Sequence, residues 1–339
     1  MSRFAIELRE APEAVARQEP ALSKPLRELV ARLADHPPAL VVTCARGSSA
    51  HAATFAKHLI ERHLAIPVAA AAPVIATVYR RDLRLEGQLF LALSQSGCSD
   101  DLIETAVSAK RAGALTVALV NAADSPLAAA CDIVLPIGAG PERAVAATKS
   151  FVAALSALLR LVALWAEDDA LRGALDRLPG RLRDAVALDW GAATAAFAPA
   201  RSLVAIGRGP TLAIAREAAL KLKEVANLHA EAFSGAEFLH GPVALVGADF
   251  PLLMFVAPDE AAPGMRDLAA GLRAKGAALY CADPEGEDVA KLPALPPDHP
   301  DADALCLVQS FYAMAARLAA ARGVDPDRPR HLQKITRTR

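Results

Sequence analysis

The sequence predicts an α/β protein made of two tandem, doubly wound parallel-sheet domains. Three pieces of the chain recur about 160 residues later, in the same order. They are an apolar run that leads into Arg-Gly (40–48 and 203–211), a second apolar run (89–93 and 252–256), and a helix-like segment that ends in Gly-Ala (110–115 and 273–278). Short apolar runs that alternate with helix-like stretches are typical of a parallel sheet covered on both faces. The matches therefore predict that the second half of the chain repeats the fold of the first.

Around these two domains, the order of segments predicts five parts. They are an N-terminal helical segment (1–35), the first domain (36–170), a connector (171–200), the second domain (201–324) and a C-terminal tail (325–339). The connector is helix-like and then polar, and it contains Leu178-Pro179-Gly180. A proline-rich loop (292–300) precedes a last predicted helix at about 302–322.

The composition excludes several classes of function. Hydrophobic residues make up 54% of the chain and aromatic residues only 4%, which indicates Ala-, Leu- and Val-rich helices packed on buried sheets. A formal net charge of −1 provides no basic field for nucleic acid or an anionic membrane. The N-terminus lacks a signal-type apolar stretch, and we expect no apolar run long enough to span a bilayer. Five cysteines without metal-type spacing predict buried free thiols, so we expect a cytoplasmic protein.

Two hydroxyl-rich turns follow predicted strands of the first half. One turn (47–49) comes after the strand at 40–44, and the other (94–99) comes after the strand at 89–93 and precedes a helix from about 102. At the carboxyl ends of such strands, backbone N–H groups and helix N-termini face an anion. One such loop alone could be turn chemistry, but two at equivalent strand ends favour a phosphate site. The candidate residues are Gly47, Ser48, Ser49, Ser94, Gln95, Ser96, Gly97 and Ser99.

Neither turn matches a known nucleotide-binding loop. No Gly-Lys-Ser or Gly-Lys-Thr follows, so nucleoside triphosphate binding is disfavoured. The third glycine of the dinucleotide fingerprint is missing after Gly207-Arg208-Gly209-Pro210. The sequence therefore contains neither the Walker loop nor the dinucleotide fingerprint.

Three charged residues in the second half share one predicted helix face. Glu217, Lys221 and Glu224 are spaced i, i+4 and i+7. A ladder of surface ion pairs is the ordinary explanation for such a pattern, but the residues between them are mostly apolar. A polar stripe on a buried helix indicates a cleft, and proton transfer next to a carbonyl needs a positioned carboxylate of this kind. His229 is predicted on the same helix, with a packing or capping role.

These motifs resemble the SIS (sugar isomerase) family, and more narrowly the isomerase half of glutamine–fructose-6-phosphate aminotransferase. The resemblance covers essentially the whole chain in order, and its most specific block runs from 221 to 242. The matching pieces are 45–49, 94–97, 140–142, 145–151, 216–224, 229–233, 237–242 and 327–334. Two positions depart from the family pattern: Cys98 stands where glutamate is common, and Ala147 stands where the aminotransferase has a serine.

The resemblance implies a ligand, which is a hexose 6-phosphate or an amino sugar 6-phosphate. The residues implied to hold the 6-phosphate and nearby hydroxyls are Ser49, Ser94, Gln95, Ser96 and Ser99. Lys221 and Glu217 would line the sugar, and the segment that contains Val145 and Ala147 would contact it. No metal or organic cofactor is implied.

The resemblance also implies a catalytic set. Glu224 would move a proton between C1 and C2 of the sugar, with Lys221 beside it. His240 would open the sugar ring and would reach the site from the partner subunit of a homodimer. Lys334, on the tail, would close over the open-chain substrate and can meet its carbonyl.

The leading hypothesis is a glucosamine-6-phosphate deaminase that releases fructose 6-phosphate and ammonia. The chain begins Met1-Ser2, and we expect it to lack the glutaminase domain that the aminotransferase needs. The alternatives are another aldose–ketose isomerase or deglycase, and a sugar-phosphate sensor without turnover. The residues before the first strand are too few for a DNA-binding domain, and the combination of Glu224, Lys221 and His240 favours an enzyme. No nucleic acid and no membrane is expected as a partner.

Overall fold

A computed structural model describes residues 1–286 and 291–334 of the chain. The strands are β1 (Val41–Ala45), β2 (Val68–Ala70), β3 (Leu89–Ser94), β4 (Leu115–Val120), β5 (Ile133–Pro136), β6 (Ser202–Gly207), β7 (His229–Ser234), β8 (Pro251–Phe255), β9 (Ala278–Ala282) and β10 (Lys291–Leu292). The helices are α1 (Arg3–Glu7), α2 (Ala11–Ala16), α3 (Gln18–Asp35), α4 (Gly47–Leu64), α5 (Pro73–Thr77), α6 (Asp100–Arg111), α7 (Pro126–Ala130), α8 (Lys149–Trp165), α9 (Asp169–Ala187), α10 (Gly191–Phe197), α11 (Thr211–Ala226), α12 (Gly235–Phe238), α13 (Ala262–Ala274) and α14 (Pro300–Ala321). Short 3-10 helices lie at Leu8–Glu10 and Pro242–Leu245. The last part of the predicted tail, 335–339, lies outside the described residues.

The chain forms two compact units, each built around one sheet. The first unit contains Glu13–Glu142 and Lys149–Gly173, together with Gln333 and Lys334. The second unit contains Met1–Pro12, Arg143–Thr148 and Ala174–Leu332. The N-terminal residues and a short middle segment therefore belong to the second unit, although they precede most of it in the chain.

The sheet of the first unit is parallel throughout, in the order β2-β1-β3-β4-β5. β1 and β3 are neighbours, with Ala45 opposite Leu93 in the register. The strand order reverses between these two strands, which makes their carboxyl ends the switch point of a doubly wound fold. Phe90 and Ala92 of β3 pack in one core cluster with Leu102 and Ala106 of α6. The continuous apolar strands are thus buried, as a parallel sheet requires.

The second unit repeats this plan with the strand order β10-β9-β8-β6-β7, again entirely parallel. β6 and β8 occupy the positions that β1 and β3 hold in the first sheet. The helices before β4 and β9 are followed by glycines at the same place, Gly113 and Gly276, whose φ angles are 84° and 82°. The predicted fold class, two doubly wound parallel-sheet domains in tandem, is confirmed.

The last helix, α14, follows the proline-rich loop where the sequence predicts a helix. Contrary to the expectation from the sequence, α14 is long and apolar enough by length and composition to cross a membrane. However, 78% of its apolar window is buried inside the protein, which is typical of a core helix. Gln309 donates from Nε2 to the Leu8 carbonyl at 2.6 Å, so the N-terminal segment packs against α14 within the second unit.

His229 does not lie on the predicted helix, which corrects that expectation. α11 ends at Ala226, and its C-cap residue Asn227 has a left-handed φ of 48°, which stops the helical hydrogen bonding. His229 then begins β7, where it lies opposite Ser202 of β6. Its Nδ1 lies 2.8 Å from Ser202 Oγ, so the side chain is tied to the neighbouring strand.

Candidate active site

The two hydroxyl-rich turns of the first unit lie at the carboxyl ends of adjacent strands. α4 begins at Gly47, directly after β1, and α6 begins at Asp100, six residues after β3 ends at Ser94. Because β1 and β3 are parallel neighbours, both helix N-termini lie at the same edge of the sheet. An N-terminus presents backbone N–H groups and a partial positive charge, so this edge attracts an anion. The sequence prediction of paired strand-end turns is confirmed.

Two serine hydroxyls of the second turn accept hydrogen bonds from backbone N–H groups. Ser94 Oγ accepts a hydrogen bond from the Gly97 N–H at 3.0 Å, and Ser96 Oγ accepts one from the Cys98 N–H at 3.3 Å. A hydroxyl that accepts from the backbone keeps its own O–H group as a donor. Ser99 is the N-cap residue of α6, but its side chain makes no capping bond. All three hydroxyls can therefore donate to phosphate oxygens.

Gly97 is required by the geometry of this turn. Its φ is 63°, in the left-handed region that favours glycine. A Cβ built at Gly97 would lie 2.0 Å from Ser125 Oγ, inside van der Waals contact. The glycine therefore allows the turn to pack against the start of α7, whose N-cap is Ser125.

An ion pair that was not predicted from the sequence ties the two turns together. Arg46, between β1 and α4, donates from Nε and Nη2 to Asp101 Oδ2 at 2.9 and 2.8 Å. The Asp101 side chain, in the first turn of α6, is only 2% exposed. Gly47, Ser48 and Ser49 follow Arg46 immediately, so the bridge fixes the first turn relative to the second. The available signal in the sequence was weak: an arginine directly after β1, and an acidic residue in the first turn of α6.

Glu142 is a second residue that was not assigned a role from the sequence. Its side chain is fully buried and accepts from the Ser150 N–H at 3.1 Å and from Ser150 Oγ at 2.6 Å. Lys334, predicted as a catalytic residue on the tail, lies 3.2 Å from Glu142 Oε2 through its Nζ. The tail lysine is thus held by a buried carboxylate at the N-terminus of α8 within the first unit.

The charged residues of α11, in the second unit, lie together as the helical spacing predicts. Lys221 Nζ lies 3.4 Å from Glu217 Oε1 and 2.5 Å from Glu224 Oε2. The side chains of Glu217 and Lys221 are 0% and 1% exposed, whereas that of Glu224 is 19% exposed. This is a buried ion-pair cluster, not a surface ladder, and its accessible end is a carboxylate. Such a carboxylate beside an ammonium can take up and return a proton.

Lys223 lies on the opposite side of the same helix. Burial lowers the pKa of Lys223, against the opposing charges of Glu231 and Glu224. Its Nζ donates to the Ala230 carbonyl of β7 at 2.7 Å. This lysine therefore fastens α11 to the edge strand, and its partner is a backbone group.

The other predicted residues of the second unit lie in loops. His240 is exposed, between α12 and the 3-10 helix at Pro242–Leu245. Val145 and Ala147 are half-buried in the segment before α8. Glu7 of α1 accepts from the backbone N–H groups of Arg143 and Ala144 at 2.5 and 3.0 Å, so α1 shapes the start of that segment.

At the switch point of the second sheet, a threonine side chain is buried at the ends of the strands. Thr211, at the first residue of α11, is fully buried, and its Oγ1 lies within hydrogen-bonding distance of two carbonyl oxygens, that of Arg208 at 2.8 Å and that of Phe255, at the end of β8, at 3.0 Å. The same hydroxyl accepts from the Arg208 N–H at 2.9 Å. In the internal repeat, Ser49 occupies the corresponding position of the first unit and is half-exposed. In the first unit, the turns at the equivalent strand end carry the serine hydroxyls described above, which can still donate to an anion.

No group of three or more His, Cys, Asp or Glu side chains in residues 1–286 and 291–334 is arranged to hold a metal ion. The donors gathered at the first switch point are hydroxyls and backbone N–H groups. That donor set suits a phosphate.

Comparison with known proteins agrees with this architecture. Glutamine–fructose-6-phosphate aminotransferase [isomerizing] of Caulobacter vibrioides is 32% identical over 316 residues, covering 87% of this chain and 51% of the relative. The chain thus spans about half the length of the curated relatives that it matches.

Two solved structures match nearly the full chain. A candidate phosphosugar isomerase from Silicibacter pomeroyi DSS-3 is 43% identical with a TM-score of 0.92, covering 96% of this chain and 100% of that one. The C-terminal domain of glucosamine-fructose-6-phosphate aminotransferase from Francisella tularensis is 25% identical with a TM-score of 0.84, covering 97% and 98%. The family model described as the SIS domain matches residues 40–164 and 196–293, one segment for each sheet. The chain belongs to the SIS domain family.

Proposed function

We propose that the chain is a sugar-phosphate isomerase that acts as a glucosamine-6-phosphate deaminase. The observation that carries this proposal is the buried cluster on α11, which ends in the partly exposed carboxylate of Glu224. Holding a phosphate needs only the turns of the first unit, whereas a buried lysine between a buried glutamate and a partly exposed glutamate suits proton transfer. The names of the matched relatives, isomerase and isomerizing aminotransferase, support the same class of substrate.

The reaction divides among a few groups. His240 moves the proton that opens the sugar ring, and Glu224 removes the C2 proton of the open-chain amino aldehyde. The C2–H electron pair forms the C1–C2 double bond of the enolamine while O1 takes up a proton. Return of the C2 proton to C1 and loss of one N–H proton then give the 2-imine. Water then adds to C2, and the former imine nitrogen leaves as ammonia, which yields fructose 6-phosphate. Lys221 stabilises the charge on Glu224, and Lys334 meets the carbonyl of the open chain.

The phosphate of the substrate is assigned to the turns of the first unit. Ser94, Ser96 and Ser99 donate hydroxyl hydrogens, with the N-termini of α4 and α6 beneath the anion. Ser49 and Gln95 complete the set. The match covers about half of each aminotransferase relative, so glutamine hydrolysis is not part of the proposal.

The deaminase is tested by coupled detection of ammonia and fructose 6-phosphate formed from glucosamine 6-phosphate. Glu224→Gln should bind the sugar phosphate by calorimetry, yet lose C2-proton exchange with solvent by about 10²- to 10⁴-fold, since a positioned base contributes that much. Glu231→Gln is the matched control, because Glu231 is exposed on β7 of the same unit. Normal turnover by Glu224→Gln would remove Glu224 as the base.

The two alternatives predict different outcomes in the same assay. An aldose–ketose isomerase would exchange the C2 proton of glucose 6-phosphate without releasing ammonia from the amino sugar. A sensor would bind the sugar phosphate in the calorimeter with no exchange and no product. Either result would replace the deaminase.

A further inference from the structure

The charged cluster on α11 continues into the core of the second unit. Tyr312 of α14 is fully buried and donates from its hydroxyl to Glu217 Oε1 at 3.0 Å. The four residues Tyr312, Glu217, Lys221 and Glu224 form a polar chain from the core to a partly exposed carboxylate. Nothing in the sequence pattern of α14 singles out Tyr312, since 95 residues separate it from Glu217.

The Lys221 ammonium lies closer to the carboxylate of Glu224 than to that of Glu217. Its Nζ lies 2.5 Å from Glu224 but 3.4 Å from Glu217. The Glu217 oxygen that faces Lys221 is the same Oε1 that accepts from Tyr312. Because the tyrosine already stabilises the charge on that oxygen, the ammonium is drawn more strongly to Glu224. Such charge-assisted bonds are strong in a buried, low-dielectric setting.

The Tyr312 ring is held by aromatic packing from two directions. Phe4 of α1 lies edge-on at 6.3 Å between ring centroids, and Phe311 lies at 6.0 Å. Two further cations contact α11 away from this cluster: Arg322 donates to the Ala226 carbonyl at the C-terminal end of the helix, and Lys223 donates to the Ala230 carbonyl of β7. The tyrosine hydroxyl therefore has a fixed position from which to orient Glu217.

We propose that Tyr312 is a positioning residue for proton transfer, which holds Glu217 so that Lys221 is directed at Glu224. This inference rests on the proposed function, in which Glu224 removes the C2 proton. Tyr312 contacts no substrate in this scheme and acts only through Glu217 and Lys221. Loss of its hydroxyl would let Glu217 draw Lys221 away from Glu224, and the carboxylate would lose its orientation.

Tyr312→Phe tests this, because it keeps the ring packing and removes only the hydroxyl. In the crystal structure of the variant, Lys221 Nζ should move onto Glu217 and away from Glu224. The kcat for C2-proton exchange should fall about 10- to 100-fold, the range expected when a reacting group is misplaced. The KM should stay within about twofold, since the phosphate contacts are unchanged. Tyr280→Phe, whose ring packs edge-on against Phe197 in the same unit, is the control and should alter neither value.

A double-mutant cycle separates positioning from a general structural effect. With Glu217→Gln already present, Tyr312→Phe should cause little further loss of kcat, because both residues act through one path. Additive losses, a KM increase at constant kcat, or an unchanged Lys221 position in the variant structure would overturn the inference. If the wild-type chain exchanges no sugar-phosphate proton, the proposed function fails, while the Lys221 position in Tyr312→Phe still decides the inference.

Discussion

Cys98 differs from the other cysteines in its surroundings. Burial raises the pKa of Cys44 and of Cys306 to about 12, and the pKa of Cys131 to about 11. Cys281 is also buried, whereas Cys98 is partly exposed in the turn that carries Ser96 and Ser99. The thiolate is the reactive form of cysteine, so the buried thiols are inert near neutral pH.

Alkylation of Cys98 should therefore report whether the turn at 94–99 is occupied by a ligand. Iodoacetamide at about pH 8 should modify Cys98 first, as followed by peptide mass spectrometry. Glucosamine 6-phosphate should slow that modification, because the anion would occupy the turn, whereas glucose without phosphate should not. Cys98→Ser provides the control that identifies the modified peptide. Equal protection by both sugars would contradict phosphate binding at this turn.

At the scale of single residues, contacts between neighbours on one helix could be predicted from the sequence, whereas contacts between distant residues could not. Glu217, Lys221 and Glu224 follow from i, i+4 and i+7 spacing and are together in the structure. Glu142 contacts Lys334 across 192 residues, and Tyr312 contacts Glu217 across 95 residues. No local sequence pattern indicates contacts over such separations. Arg46 and Asp101 become neighbours only because β1 and β3 pair.

At the scale of elements, the turn after β3 depends on one backbone position. Gly97→Ala should destabilise the protein by about 1–3 kcal/mol, because the left-handed φ and the contact with Ser125 both oppose a Cβ. Sugar-phosphate binding should weaken with it. Chemical denaturation and calorimetry measure the two effects.

The control for this substitution is a glycine that lacks both constraints. Gly271→Ala lies inside α13 with nothing within 4 Å of the added Cβ and no positive φ. It should stabilise the protein by about 0.5–1 kcal/mol, as alanine does in a helix. A Gly97→Ala variant as stable as wild type would refute the argument for the turn.

The predictable elements were those marked by apolar runs and glycine caps. β1, β3, β6 and β8 lie where the internal repeat places them. β7 was not predicted, because Asn227 ends α11 by adopting a left-handed conformation that glycine more often supplies. The alternation of polar and apolar residues in His229-Ala230-Glu231-Ala232 was the available sequence signal.

At the scale of the whole molecule, His240 bears on assembly. It is exposed, and Leu239 and Leu245 beside it are 53% and 49% exposed. Apolar side chains exposed around a candidate catalytic histidine favour a surface that is covered by another subunit. We propose a homodimer in which His240 serves the site of the partner.

Subunit mixing tests this arrangement. His240→Ala and Glu224→Gln should each be inactive alone, but mixed subunits should regain about a quarter of the wild-type activity per chain, since half of the dimers are mixed and each has one intact site. Light scattering verifies the dimer before and after mixing. Absence of recovery in mixtures shown to exchange subunits would mean that each chain uses its own histidine.

The two copies of the fold differ at their equivalent strand ends, because the second copy has the buried side chain of Thr211 there. Two copies of one fold present two equivalent strand ends, and in the second copy this threonine joins α11 to the end of β8. The Thr211 side chain is buried at the strand end of the second copy, whereas the turns of the first copy keep serine hydroxyls that can donate to an anion. We therefore expect calorimetry to measure one sugar phosphate bound per chain, although the fold occurs twice.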